Sequence, residues 1–317
     1  MRSRPLSATL FALALLLAGG HAGHRATSAE AAEITVVATI APVHGIAEAI
    51  MKGSGNRPGL LLAASVSPHL VQLRPSQAAM LETADLILRV GDTFETFLSR
   101  LLAPDIHAGR LLTLDQLPGI ILHPNRKAGL FGHDPAGADT HAHAGIPFDP
   151  HLWLDPENGR TAARAIAERL AALDPEHAPV YLDNAGRFDV RLLQVEREID
   201  GMLATVRERP YLVLHDAFGS FERRFGLHPA GAFAISPDRR PGPRRLDDLR
   251  HIVSNGDIAC IFTEPQLDTG WIDTILAEEP VRKGVLDPLG STLPADEEHY
   301  PRLLLGIARS LRDCLSP

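Results

Sequence analysis

The stretch EITVVATIAPVHGIAEAIM at residues 33–51 changes its periodicity halfway along. Up to Thr39 it is rich in β-branched residues, which is typical of a buried strand. After Pro42, apolar residues such as Ile46 and Ile50 recur at helical spacing. The stretch therefore predicts a strand that leads into a helix.

The same alternation occurs again along the chain, on both sides of a helical middle region. From Ala162 to Leu203 apolar residues recur at helical spacing, and Pro175 divides this region into two helices. Strand and helix alternation predicts an α/β fold of two similar lobes, with mainly parallel sheets flanked by helices and a long helix between them. Further strands are predicted at 60–64, 85–90, 211–214 and 258–263, and further helices at 75–83 and 218–225.

The N-terminus has the pattern of a secretory signal peptide. Two arginines precede the apolar run at 10–18, and small residues follow it up to Ala32. The run is too short to remain as a membrane-spanning helix, and no cysteine nearby could accept a lipid. A buried N-terminal helix is the alternative. We expect an exported chain that is not membrane-anchored.

These observations predict four segments of the chain. The divisions are a signal peptide at 1–31, an N-terminal α/β lobe at 32–155, a linker helix at 156–180 and a C-terminal α/β lobe at 181–317.

Charge and cysteine content restrict the partners and the compartment. The net charge of −8 argues against nucleic acid as a partner, because such partners require basic patches, and it suits a cationic ligand. The two cysteines, Cys260 and Cys314, are expected to form a disulfide in an oxidising compartment. Two unpaired thiols are the alternative.

Four coordinating side chains come just after predicted strands, where α/β folds present their ligand sites. Three imidazoles and one carboxylate can form a tetrahedral zinc site, and imidazole-rich sets favour zinc over manganese, magnesium and calcium. A structural role for each histidine is the alternative, and Glu264 at a strand end is a candidate to support a ligand. The four candidate ligands are His69, His151, His215 and Asp287.

The segment 124–148 has no hydrophobic periodicity, which predicts a surface loop. It contains His133, His141 and His143 among acidic and small residues, and these could form an auxiliary metal site. A solvated loop whose histidines have no specific role is the alternative.

Several motifs, in order along nearly the whole exported chain, resemble the ZnuA-like, cluster A-I solute-binding proteins of the metal-binding lipoprotein and zinc-uptake family. The motifs are Ser67-Pro68-His69, His151-Leu152-Trp153-Leu154-Asp155-Pro156, His215-Asp216-Ala217-Phe218, Phe262-Thr263-Glu264-Pro265-Gln266 and Leu286-Asp287-Pro288-Leu289-Gly290.

The resemblance implies two lobes joined by a rigid helix, with one metal in the cleft between them. It implies ligands at His69, His151 and His215, with Asp287 or a water as the fourth, and it matches a disulfide between Cys260 and Cys314. Manganese-type relatives usually carry glutamate at the position of His215, so the histidine indicates zinc.

The implied function is the periplasmic capture of Zn²⁺, as transported ligand, for an inner-membrane ABC permease. A monomer without enzyme activity is expected, and the histidine-containing loop would collect zinc weakly. The alternatives are a manganese or iron binding protein of the same fold, a secreted zinc hydrolase, and a zinc chaperone or buffer without a transporter.

Overall fold

The computed structural model describes residues 33–99, 101–102, 109–126, 148–234, 242–275 and 280–317. The predicted signal peptide at 1–31 lies outside these residues, and so do His133, His141 and His143. Within the described ranges, no helix combines the length and the apolar character needed to cross a membrane.

The N-terminal half forms a parallel sheet with the strand order β2-β1-β3-β4. Parallel neighbours need a crossover connection, and helices follow the first two strands for this reason. The Val-Val-Ala sequence of β1 is buried completely, as expected for a strand covered on both faces. The elements are β1 (Val36–Ala38), α1 (Ala41–Met51), β2 (Gly59–Leu60), α2 (Pro75–Thr83), β3 (Leu86–Arg89) and β4 (Leu111–Thr113).

Two consecutive helices, α3 (Pro156–Leu173) and α4 (Ala178–Leu203), form the middle of the chain. Their separation confirms the division predicted at Pro175. Asp155 caps α3, because its carboxylate accepts a hydrogen bond from the Glu157 amide at 2.9 Å. The predicted linker at 156–180 contains the whole of α3 and the start of α4, and as a division into domains it stays a prediction.

The C-terminal half forms a second parallel sheet with the order β6-β5-β7-β8, the same arrangement as in the first sheet. The repeated topology confirms the predicted fold of two similar lobes with parallel sheets flanked by helices. The elements are β5 (Tyr211–His215), α5 (Gly219–Phe225), β6 (Gly231–Ala234), α6 (Pro243–Ser254), β7 (Cys260–Thr263), α7 (Gly270–Ile275), β8 (Arg282–Val285) and α8 (His299–Leu315).

The two sheets share one main hydrophobic core. Strand β5 shows how, since its residues alternate between faces: Tyr211 and Val213 belong to the main core, whereas Leu212 and Leu214 belong to a smaller cluster. Hydrogen bonds also cross between the lobes, and Trp153 Nε1 donates to the Pro288 carbonyl at 2.9 Å. The segments that carry the candidate ligands therefore rest on a continuous packed interior.

A disulfide joins Cys260 in β7 to Cys314 in α8, with the two Cα atoms 6.0 Å apart. This confirms the predicted pair. The bond attaches the C-terminal helix to a central strand of the second sheet.

Candidate metal centre

Three of the four predicted ligands converge. The coordinating atoms of His69, His151 and His215 all lie within 4.8 Å of one another. Nε2 of His151 is 3.4 Å from Nε2 of His69 and 3.4 Å from Nε2 of His215. Tetrahedral zinc with usual zinc–nitrogen distances requires about 3.3–3.4 Å between ligand nitrogens. The spacing therefore fits ligands that share one ion.

The order of strands explains the position of His215. His215 is the last residue of β5, and Glu264 directly follows β7. These two strands are neighbours, and the chain order reverses between them. In open α/β sheets, ligand sites lie beyond the carboxyl ends of the strands at such a reversal. Both side chains therefore reach the same end of the sheet.

The other two histidines come from short segments outside the strands. His69 lies in the single 3₁₀ turn Pro68–Leu70, which follows β2, and proline restricts the backbone there. His151 precedes the turn Leu152–Leu154, which leads directly into α3. The cluster thus combines one ligand from a sheet of the C-terminal half with two from the N-terminal half.

Buried carboxylates orient two of the rings. Nδ1 of His151 donates to Asp149 Oδ1 at 2.9 Å, and Nδ1 of His215 donates to Glu264 Oε1 at 2.5 Å. A carboxylate can only accept, so the proton stands on Nδ1 and the lone pair of each ring is on Nε2. This is the tautomer in which Nε2 binds a metal, and such carboxylate partners are typical of metal-ligating histidines.

The same contacts set the charge of the site. Burial lowers the pKa of His215, but the charge and hydrogen bond of Glu264 outweigh it, so the pKa lies above its ordinary value. Burial raises the pKa of Asp149, but the hydrogen bond and charge of His151 outweigh it, so this pKa lies below its ordinary value. Negative charge behind the imidazoles favours a bound cation.

Asp287 does not belong to the convergent group of histidines among the described residues. It follows β8, which lies two strand positions from β5, so about 9–10 Å separate the two strands. Its carboxylate instead stabilises the following turn, and it also accepts from Gln266 Nε2 at 2.7 Å. The other donors are the backbone amides of Leu289, Gly290 and Ser291 and the hydroxyl of Ser291.

A small cavity of about 20 Å³ lies at the three histidines. By this measure it has room for at least one water molecule. Aromatic rings form part of its wall: Phe94 is 5.1 Å from the ring of His69 and 4.7 Å from the ring of Trp153, centre to centre. Apolar walls limit the access of water to the site and lower the local dielectric constant.

Sequence reasoning missed two polar residues at this site, Asp149 and Gln266. Asp149 could have been found from its position two residues before a candidate ligand, within Asp149-Pro150-His151. Gln266 stands in the motif Phe262-Thr263-Glu264-Pro265-Gln266, but the motif does not reveal its role, because its relation to the cavity depends on contacts with Ala64 and Asp287, which are remote in the sequence.

Two α/β lobes of equal topology around three histidines, of which His151 and His215 are buried and His69 is half-buried, define a solute-binding protein for a metal ion. The sequence profile of the family described as "Zinc-uptake complex component A periplasmic" matches residues 36–314. The chain belongs to this family.

Known relatives and structures agree with this assignment. The chain is 33% identical to the high-affinity zinc uptake system protein ZnuA of Brucella suis biovar 1, over 89% of this chain and 91% of that protein. It is 35% identical to the protein of the same name from Yersinia pestis, over 90% and 92%. A crystal structure of ZnuA superimposes with a TM-score of 0.74 and 24% identity, over 90% of this chain and all of that one.

Family membership confirms the resemblance predicted from the motifs, and zinc uptake is the function that this family serves. The likeness to the crystal structure supports the two-lobe fold.

Proposed function

We propose that His69, His151 and His215 capture one Zn²⁺ ion in the periplasm, and that the protein presents it to the inner-membrane permease of an ABC-type uptake system. The observation that carries this proposal is the convergence of the three Nε2 atoms. His151 Nε2 lies 3.4 Å from each of the others, and carboxylates bind the Nδ1 atoms of His151 and His215.

The donor set favours zinc over manganese. Manganese prefers oxygen ligands, whereas zinc accepts three imidazoles in a four-coordinate shell. The carboxylates of Asp149 and Glu264 already accept hydrogen bonds from the rings. Asp287 is occupied by its own turn. We therefore propose that a water completes the shell.

A zinc hydrolase would also use three protein ligands and a water, but it needs a general base and space for a substrate. The carboxylates of Asp149 and Glu264 are committed to His151 and His215. The cavity at the histidines is small, about 20 Å³. These features favour capture of an ion over catalysis.

Export and delivery complete the proposal. The predicted signal peptide at 1–31 would direct the chain to the periplasm, where the Cys260–Cys314 disulfide can form. The curated relatives are named as parts of a high-affinity zinc uptake system, which supports a permease as the partner of this chain. We propose that the exported protein acts as a monomer.

Calorimetric titration of the metal-free exported protein with Zn²⁺, followed by Mn²⁺ added to the loaded protein, tests this function. One tight zinc site that manganese does not displace is expected, and the His215→Ala variant should lose it. Failure of the unchanged protein to bind zinc tightly would overturn the proposal. Preferential binding of manganese would instead indicate a manganese-binding protein of the same fold.

A further inference from the structure

The orientation of the Gln266 side chain is determined by its neighbours. Its Nε2 atom donates to the Ala64 carbonyl at 3.1 Å and to Asp287 Oδ1 at 2.7 Å. Both partners can only accept, and an amide nitrogen has two hydrogens to donate. The nitrogen must therefore face Ala64 and Asp287, and the amide oxygen must face elsewhere.

The oxygen of this amide, Oε1, is buried, and no described residue donates a hydrogen bond to it. A buried acceptor without a donor destabilises a protein, so such atoms generally have a partner of some kind. Gln266 lines the same cavity as His69, His151 and His215. The missing donor is therefore expected to come from the contents of that cavity.

His151 and His215 cannot supply this donor once a metal is bound. Each Nε2 would then use its lone pair for the ion, and the Nδ1 protons of His151 and His215 already go to Asp149 and Glu264. A water in the fourth position has two O–H groups, and zinc polarises it into a stronger donor.

On the basis of the proposed function, we propose that Gln266 Oε1 accepts a hydrogen bond from the water that completes the zinc shell. Gln266 is then a positioning residue that acts on the ion through this water. This role of Gln266 also gives Asp287 a function near the site, because Asp287 holds the Gln266 amide in the required orientation.

The same side chain connects metal binding with the contact between the lobes. Ala64 lies in the segment between β2 and His69, whereas Gln266 follows β7 and Asp287 follows β8. A single amide therefore holds the segment of one ligand against the opposite lobe while its buried oxygen has no donor among the described residues. Zinc should strengthen this contact, because the bound water fixes the amide from its other end.

Three variants test this role. Gln266→Met keeps the size of the side chain and removes both its donor and its acceptor. Gln266→Glu keeps an oxygen towards the cavity and removes the donors. Gln77→Met is the matched control, since Gln77 also bonds backbone groups, those of Arg74 and Leu61, but does not line the cavity.

The measurements are zinc affinity by chelator competition, the visible absorption spectrum of the Co²⁺-loaded protein, and the melting temperature without metal. Gln266→Met should weaken zinc binding about 10- to 100-fold, as is usual on loss of an outer-shell partner, and should change the Co²⁺ bands. Gln266→Glu should bind zinc at least as tightly as the unchanged protein. Gln77→Met should change only the melting temperature.

Two results would overturn the inference while the proposed function stands. One is Gln266→Met with unchanged zinc affinity and Co²⁺ bands. The other is an equal loss of affinity in Gln266→Glu and Gln266→Met, which would mean that only the bridge to Ala64 and Asp287 matters. Absence of tight zinc binding in the unchanged protein would remove both the function and the inference.

Discussion

His215 and Glu264 lie at the carboxyl ends of two neighbouring strands, and Nδ1 of His215 donates a hydrogen bond to Oε1 of Glu264 at a distance of 2.5 Å. Both residues are almost fully buried, with 3% and 4% of their surface exposed. The pair places a negative charge behind the ring and turns the lone pair of Nε2 towards the other two histidines. Its loss should therefore affect zinc binding directly.

Glu264→Gln should weaken zinc binding about 10-fold, near the lower limit for outer-shell changes, because the amide oxygen can still accept from Nδ1 but the charge is lost. Glu264→Ala should weaken it further, since the ring then loses its partner. Competition with a zinc chelator measures both. Glu168→Gln on an exposed face of α3 is the control and should bind as the unchanged protein does. Equal affinities in all four proteins would contradict a role for Glu264.

Zinc binding should weaken as the pH falls, because a protonated imidazole cannot bind a metal. Glu264 raises the pKa of His215 above its ordinary value of 6.5 despite burial, so protons begin to compete at a higher pH than for an exposed histidine. Affinity measured from about pH 7.5 to about pH 5 should decrease throughout this range of histidine titration. In Glu264→Gln the decrease should start at a lower pH. A constant affinity would be incompatible with histidine ligands.

Much of the architecture could be predicted because it depends on local patterns. The β-branched run at Val36 and Val37 becomes β1, and Pro175 separates α3 from α4. The predicted strand at 60–64 is shorter in the structure, where β2 ends at Leu60 and the chain turns away towards His69. Boundaries of this kind depend on neighbouring segments and not on the local sequence.

Asp287 lies outside the convergent group of histidines for a reason that the local pattern does not show. Asp287 comes just after strand β8, and His215 is the last residue of strand β5. Whether such a residue reaches the metal site also depends on the order of the strands in the sheet. Strand β8 is at the edge of its sheet, whereas β5 and β7 are central. Gln266 was not predicted for a related reason, since its role arises from hydrogen bonds to Ala64 and Asp287, which are remote in the sequence.

Loss of the disulfide should lower the free energy of unfolding. The Cys260–Cys314 bond closes a separation of 54 residues, and the Cys260→Ala/Cys314→Ala protein should lose about 2–5 kcal/mol. Urea unfolding of the metal-free protein measures this change. Zinc should still bind at one ion per chain, because neither cysteine contributes to the histidine group. Loss of the zinc site together with an unchanged unfolding midpoint would contradict the expectation that the disulfide stabilises the fold and does not take part in zinc binding.

Asp287→Asn distinguishes a ligand from a residue that holds a turn. The Asp287 carboxylate accepts hydrogen bonds from the backbone N–H groups of Leu289, Gly290 and Ser291. The side-chain NH₂ of an asparagine would face one of these N–H donors and could not accept from it. The free energy of unfolding should fall by about 1–3 kcal/mol, the usual cost of unsatisfied buried donors.

The same variant should keep the absorption bands of the Co²⁺-loaded protein close to their original positions, because the three nitrogen ligands and the water remain and the asparagine oxygen can still accept from Gln266 Nε2. Asp296→Asn is the control, since Asp296 also accepts from a backbone amide, that of Glu298, and from Arg302, away from the cavity. A change of the Co²⁺ bands in Asp287→Asn that is absent from Asp296→Asn and from Gln266→Met would show that Asp287 binds the ion. The fourth position would then belong to the carboxylate predicted from the sequence, and the water would have no place in the shell.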